Sequence, residues 1–162
     1  MKPAIILLVF VLLITGCSPD QQKRIIKSTD YFELLVLDNV SLSFPKGSHL
    51  QSLEFDRINF EVKLEDSVYG RIESFESQIP LEDFAETLIN KVRSKTQDLT
   101  VTNRRNAKGV LYLDLEYDDK SSIFYSSVLI TKQANNILLV YLFTKDIKHK
   151  EFIKNTIGRI LR

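Results

Sequence analysis

Seven consecutive apolar residues, Ile137 to Phe143 (ILLVYLF), constrain the fold of this chain more than any other segment. A strand presents its side chains to two faces in alternation, so a run that is apolar at every position needs cover on both sides. Asn135-Asn136 turn the preceding strand, Ser122 to Thr131, into this run. Gly109 to Tyr117 alternates cleanly, with Leu111, Leu113 and Leu115 on one face and Tyr112, Asp114 and Glu116 on the other. A sheet with a doubly covered central strand follows from these three segments.

Two amphipathic segments can supply the cover. Pro80 opens the clearer one: proline suits the first helical position, and Glu82 and Asp83 suit the positive end of the helix dipole. Leu81, Phe84, Ala85, Leu88, Ile89 and Val92 recur at spacings of three and four and make a one-sided stripe. Asp146 is placed to cap a C-terminal helix whose Phe152, Ile153, Ile157, Ile160 and Leu161 face inward. Earlier in the chain, Glu33 to Leu37, Val40 to Phe44 and Leu53 to Leu64 read as strands, the second ended by the turn Pro45-Lys46-Gly47-Ser48. Val68 to Phe75 is expected to pair with the third across Glu65-Asp66-Ser67, and Leu99 to Asn103 is a further short strand. The expected class is α+β, an antiparallel sheet flanked by two helices in an α/β/α sandwich, filling residues 30–162 as a single domain.

The amino end carries a different signal. Met1-Lys2 is a basic start, Ala4 to Ile14 (AIILLVFVLLI) is an unbroken apolar run, and Ile14-Thr15-Gly16-Cys17 closes it. That order is the order of a secretory signal peptide. The run falls short of the ~20 apolar residues that span a bilayer. The closing tetrapeptide resembles the bacterial lipobox, which implies cleavage after residue 16, acylation of Cys17 and a membrane partner held through those acyl chains. Two or more chains anchor stably where one does not. Ser18 stands where an inner-membrane retention signal would place Asp, so the resemblance implies the periplasmic face of the outer membrane, with the inner membrane or outer surface as alternatives. Residues 17–29 then read as the lipidated cysteine and a linker, whose polar Ser18 to Thr29 (SPDQQKRIIKST) reaches at most ~40 Å at ~3.3 Å per residue.

Losing sixteen residues from 162 leaves 146, one ordinary domain with enough chain to bury its own core. The chain has 22 Lys+Arg against 21 Asp+Glu, and Lys2 leaves with the signal, so the mature charge is near zero. Nucleic acid wants a basic face, and no nucleic-acid partner is expected. Cys17 is the only cysteine, so no internal disulfide forms and, once it is acylated, no redox or nucleophilic thiol remains.

Little else points to chemistry. His49 is expected in a turn and His149 on the exposed side of the last helix; metal sites draw several ligands together, and these two stand apart. The carboxylate pairs Glu65-Asp66 and Asp118-Asp119 fall in apparent hairpin turns, where acidic residues serve turn geometry. Arg104-Arg105 with Lys108 reads as a solvated basic loop. No nucleophile elbow, glycine-rich phosphate loop, zincin motif or EF-hand spacing is present. No catalytic residue, cofactor or metal site is therefore assigned. Tyr112, Phe124 and Tyr125, in a stretch that also holds Tyr117 and Tyr141, are the candidate contacts for a protein partner, because aromatics on a sheet face suit an interface.

From Val40 onward the layout resembles the DcrB and PsbP-like family. The residues that carry this are the strand-Pro-x-Gly opening Val40-Ser41-Leu42-Ser43-Phe44-Pro45-Lys46-Gly47, the helix start Pro80-Leu81-Glu82-Asp83-Phe84, the antiparallel strands after it, and the close at Ile157-Gly158-Arg159-Ile160-Leu161. The resemblance implies an α/β/α sandwich and roles in binding and assembly rather than catalysis, among periplasmic lipoproteins and chaperones of secreted toxins. It supplies no catalytic residues. The expected function is a non-enzymatic, lipid-anchored periplasmic binding or assembly module of the cell envelope. The alternatives are an immunity lipoprotein neutralising a periplasmic effector toxin and an envelope hydrolase, which would need a Ser and a His in contact or converging carboxylates.

Overall fold

A computed structural model describes residues 24–37, 40–53 and 58–161. The expected signal peptide, Cys17 and the first part of the expected linker lie outside them. Among the described residues the strands are β1 (Arg24–Ser28), β2 (Phe32–Leu37), β3 (Val40–Pro45), β4 (His49–Ser52), β5 (Asn59–Lys63), β6 (Val68–Glu76), β7 (Leu99–Ala107), β8 (Val110–Asp118), β9 (Ile123–Gln133) and β10 (Asn136–Thr144). The helices are α1 (Leu81–Arg93) and α2 (Lys150–Arg159), the latter entered through a 3-10 turn at Ile147–His149. β1, β2 and β3 form a small meander, and the other seven strands form one antiparallel sheet in the order β4-β5-β6-β10-β9-β8-β7.

β10 lies at the centre of the large sheet, as its sequence requires. Its alternation feeds two cores. Leu138, Val140 and Leu142 meet Ile153, Ile157 and Ile160 of the C-terminal segment and Leu35, Leu37, Val40, Leu42 and Phe44 of the small sheet. Ile137 and Leu139 point the other way, into a second core with Leu111, Leu113, Leu115, Val128 and Ile130 under Ala85 and Ile89 of α1. The architecture is thus the α+β sandwich expected, with α1 on one face and α2 plus the small sheet on the other. The end of the chain locks the layers: the Ser43 amide donates to the Ile160 carbonyl at 2.7 Å, and Leu161 bridges to Leu42.

Four local expectations are corrected. Arg24–Ser28, assigned to the linker, form a strand paired along its whole length with β2. Only two of its five residues are apolar, so pattern could not reveal it; what fixes it is the turn after it. The Thr29 amide and hydroxyl both donate to the Phe32 carbonyl, at 3.0 and 2.8 Å, and the Phe32 amide donates back to the Thr29 hydroxyl at 3.1 Å. The single strand expected over Leu53 to Leu64 is instead the second arm of a hairpin: the Leu53 amide donates to the Asn59 carbonyl at 2.8 Å, so these two residues face one another. His49, expected in a turn, begins the first arm opposite Lys63. Finally, the Arg104-Arg105 region is strand rather than loop, because β7 runs on to Ala107 as an exposed sheet edge with a register shift between Val101 and Asn103. An edge strand needs only backbone partners on one side, so polar residues can continue it.

Candidate functional site

α1 does not cover its side of the sheet evenly. Of its stripe only Ala85 and Ile89 are buried; Leu81, Phe84, Leu88 and Val92 are half-buried. The helix is held toward the β7 edge, where Arg104 pairs with Glu82 and Glu86, and the Asn106 side-chain amide donates to Glu82 at 3.0 Å. The faces of β6 and β10 beside it are left open. The result is a cleft of about 530 Å³ between α1 and strands β6, β10, β9 and β8. That size is within the usual range of small-molecule sites, ~300–1,000 Å³.

Leu115, Val128 and Leu139 line the sheet side of the cleft, and Leu88 and Val92 line its helix side. Phe75 and Phe84, with ring centroids 6.0 Å apart, bracket one end. At the other, a band of rings runs across four strands on the same face. Tyr69 lies 6.1 Å from Phe143, Phe143 lies 6.4 Å from Phe124 and 6.3 Å from Tyr141, and Phe124 stacks on Tyr117 at 5.4 Å. Lys145 Nζ sits 4.7 Å above the Phe124 ring, a cation–π contact. Ring pairs at these distances gain energy beyond the area they bury, so the rings of the band support one another.

The polar groups are few and placed. Arg71 and Glu73 point to the cleft side of β6 and pair at 3.4 Å. Burial raises the Tyr117 phenol above its ordinary value, with the neighbouring Tyr141 and Asp119 adding to the shift. Burial likewise raises Tyr141; Glu73 pushes in the same direction and Arg71 against it. Both hydroxyls are therefore protonated at neutral pH and able to donate a hydrogen bond. Lys91 and Lys95 stand exposed on the helix rim.

The three aromatics named from sequence do not form one surface. Phe124 belongs to the band beside the cleft, whereas its neighbour Tyr125 must point to the opposite face. Tyr125 is only 7% exposed, packs into the core beneath α2, and lies under Lys150 Nζ at 5.1 Å. It is a core residue and no contact. Tyr112 shares that face, half-buried against the same core, with the Arg105 guanidinium 4.6 Å above its ring. Tyr117 and Tyr141 do reach the cleft. Tyr69, Arg71, Phe75 and Phe143 were missed, yet the signal was present: residues 69, 71, 73 and 75 share a face by period two, as do 137, 139, 141 and 143.

His149 also departs from expectation. It is not on an exposed helix face but at the N-cap of α2, where Nε2 lies 2.8 Å from Glu65 Oε2 and Nδ1 lies 2.9 Å from Ser67 Oγ. The contacts tie the β5–β6 turn to the helix start. Ser67, His149 and Glu65 line neither the α1 cleft nor the 430 Å³ groove between β3 and α2. Among the described residues no three His, Cys, Asp or Glu side chains converge as metal ligands, and no helix is long and apolar enough to cross a membrane.

The chain matches no protein-family model and, at a significant level, no curated protein. Its fold is similar to solved structures. PA94 from Pseudomonas aeruginosa, a protein of unknown function, is 11% identical, with 82% of this chain and 97% of that chain covered and a TM-score of 0.51. CyanoP, the cyanobacterial PsbP of Synechocystis sp. PCC 6803, is 15% identical over 90% of this chain and 92% of its own, with a TM-score of 0.48. At such identities the likeness is one of fold, an antiparallel α+β sandwich.

Proposed function

We propose that this protein is a non-enzymatic binding module of the bacterial envelope, held at the periplasmic face of the outer membrane by acyl chains on Cys17, with the α1 cleft and its flanking aromatic band as the binding surface. The observation that carries the reading is the cleft itself: an apolar concavity beside a platform of contacting rings, with a few polar groups at its edge. Concave apolar sites with a few placed polar groups are the usual form of binding sites. The signal-like amino end and the lipobox-like Ile14-Thr15-Gly16-Cys17 support the tether. The test is a photo-reactive p-benzoylphenylalanine placed at Thr87, on the cleft wall, or at Lys154, on the exposed side of α2, in cells carrying the full chain. A discrete adduct from Thr87 and none from Lys154 is expected. Identical patterns from both positions would refute the cleft as the working surface.

One observation favours the hydrolase alternative. Ser67, His149 and Glu65 are joined by contacts of 2.9 and 2.8 Å, the residue types of a catalytic triad. They line neither the α1 cleft nor the groove between β3 and α2, and we read them as a clamp between turn and helix. Hydrolysis of p-nitrophenyl acetate that is lost in both Ser67→Ala and His149→Ala would establish the enzyme instead.

A further inference from the structure

The charges around the α1 cleft are unequal. Arg71, Lys91 and Lys95 line it against one carboxylate, Glu73, and that carboxylate is already engaged by Arg71 at 3.4 Å. Lys91 lies in the last turn of α1 and Lys95 in the turn that follows it, and both line the same rim of the cleft. Among the described residues neither forms an ion pair. Both also suit the negative end of the α1 dipole. The dipole accounts for positive charge at a helix end; it does not account for an apolar floor of Leu115, Val128 and Leu139 directly beside it.

We infer that the cleft takes a small amphipathic anion, its apolar body seated between Leu88 and Val92 of the helix and Leu115, Val128 and Leu139 of the sheet, its acidic head between Lys91 and Lys95. This rests on the reading of the cleft as the binding site and names what that site recognises. Flexible lysines at an exposed rim are suited to a head group that stays partly hydrated, since they act as mobile point charges and not as a fixed fork. The Tyr117 and Tyr141 hydroxyls supply donors for a polar atom deeper in the ligand. The volume of about 530 Å³ admits one molecule with a two-ring or branched apolar body.

The absence of tryptophan allows a fluorescent test with little background. The chain from residue 17 onward, carrying Cys17→Ser so that it remains unacylated, is titrated with 1-anilinonaphthalene-8-sulfonate and, separately, with N-phenyl-1-naphthylamine, the same ring system without the acid. Saturable one-to-one binding of the sulfonate is expected. The double exchange Lys91→Glu/Lys95→Glu is expected to weaken it by about tenfold or more while changing the neutral probe by less than about twofold. Thr87→Trp, an exposed wall position, should fill the cleft and abolish binding of both, with unchanged circular dichroism reporting that the variants are folded. Sulfonate binding that ignores the lysine exchanges, that survives Thr87→Trp, or that is absent up to about 1 mM would overturn the inference. So would co-sedimentation with phosphatidylglycerol vesicles that is lost with the lysine exchanges, since the ligand would then be a lipid surface. A specific adduct from Thr87 in cells, with no probe bound in solution, would leave the binding-site reading standing and remove this one.

Discussion

Gly70 shows how closely single residues are specified. It sits opposite Leu142 where β6 meets the central strand, and a Cβ there would collide with the Tyr141 carbonyl oxygen and lie 2.6 Å from Leu142 Cδ2. Gly70→Ala must displace backbone in the middle of the sheet and is expected to cost about 1–3 kcal/mol, read as a lowered urea midpoint. Tyr117 and Tyr141 set a pH dependence of known sign. Their folded values lie above the ordinary 10.0, chiefly through burial, so above that pH the unfolded chain has given up protons that the native chain retains. Their contribution is whole below the unfolded value and is lost as pH rises through the folded one. Denaturation midpoints measured across that alkaline window should fall less steeply for Tyr117→Phe/Tyr141→Phe than for the unaltered protein; equal slopes would mean the phenols are not buried as described.

The elements differ in how far their sequences disclosed them. β8, β10, α1 and α2 were legible because each turns an apolar face or stripe inward, and that writes a period into the chain. β1 and the end of β7 were not, because edge strands are held by backbone hydrogen bonds that any side chain permits. The cleft was legible only in part. Its floor follows from the alternation of β8 and β10, but its existence depends on where α1 sits, which is set by contacts distant in sequence: Ala85 and Ile89 against the sheet, and Arg104 with Glu86 and Glu82, 18 and 22 residues away. Tyr125 failed as a surface contact for a related reason: aromatic identity says nothing of which sheet face α2 will cover. β1 offers a direct check. Its exposed Lys27 and Ser28 make it a polar guard on the edge of β2. A chain beginning at Asp30 should melt about 4 °C or more below one beginning at Arg24 and should self-associate through the bared β2 edge. Equal melting and monomeric behaviour would show that β1 contributes nothing.

For the molecule as a whole, β1 draws the domain toward its proposed anchor. Six residues, 18–23, lie between Cys17 and β1, and six residues reach at most about 20 Å at ~3.3 Å per residue, half of what the twelve residues 18–29 would allow. On the proposed reading, a module on so short a tether would meet partners close to the membrane, through the open side of α1, on the face opposite the small sheet. The most direct test uses the fact that Cys17 is the only cysteine. Maleimide labelling is compared in intact envelopes and in purified protein for the unaltered chain, for Thr87→Cys in the cleft wall, and for Lys154→Cys on the far side. The unaltered chain should remain unlabelled if its one thiol is acylated as proposed. Thr87→Cys should be protected in envelopes and open when purified, and Lys154→Cys equally open in both. Labelling of the unaltered chain at Cys17, or equal labelling of Thr87→Cys in envelopes and in solution, would contradict a tethered module that binds through its α1 cleft.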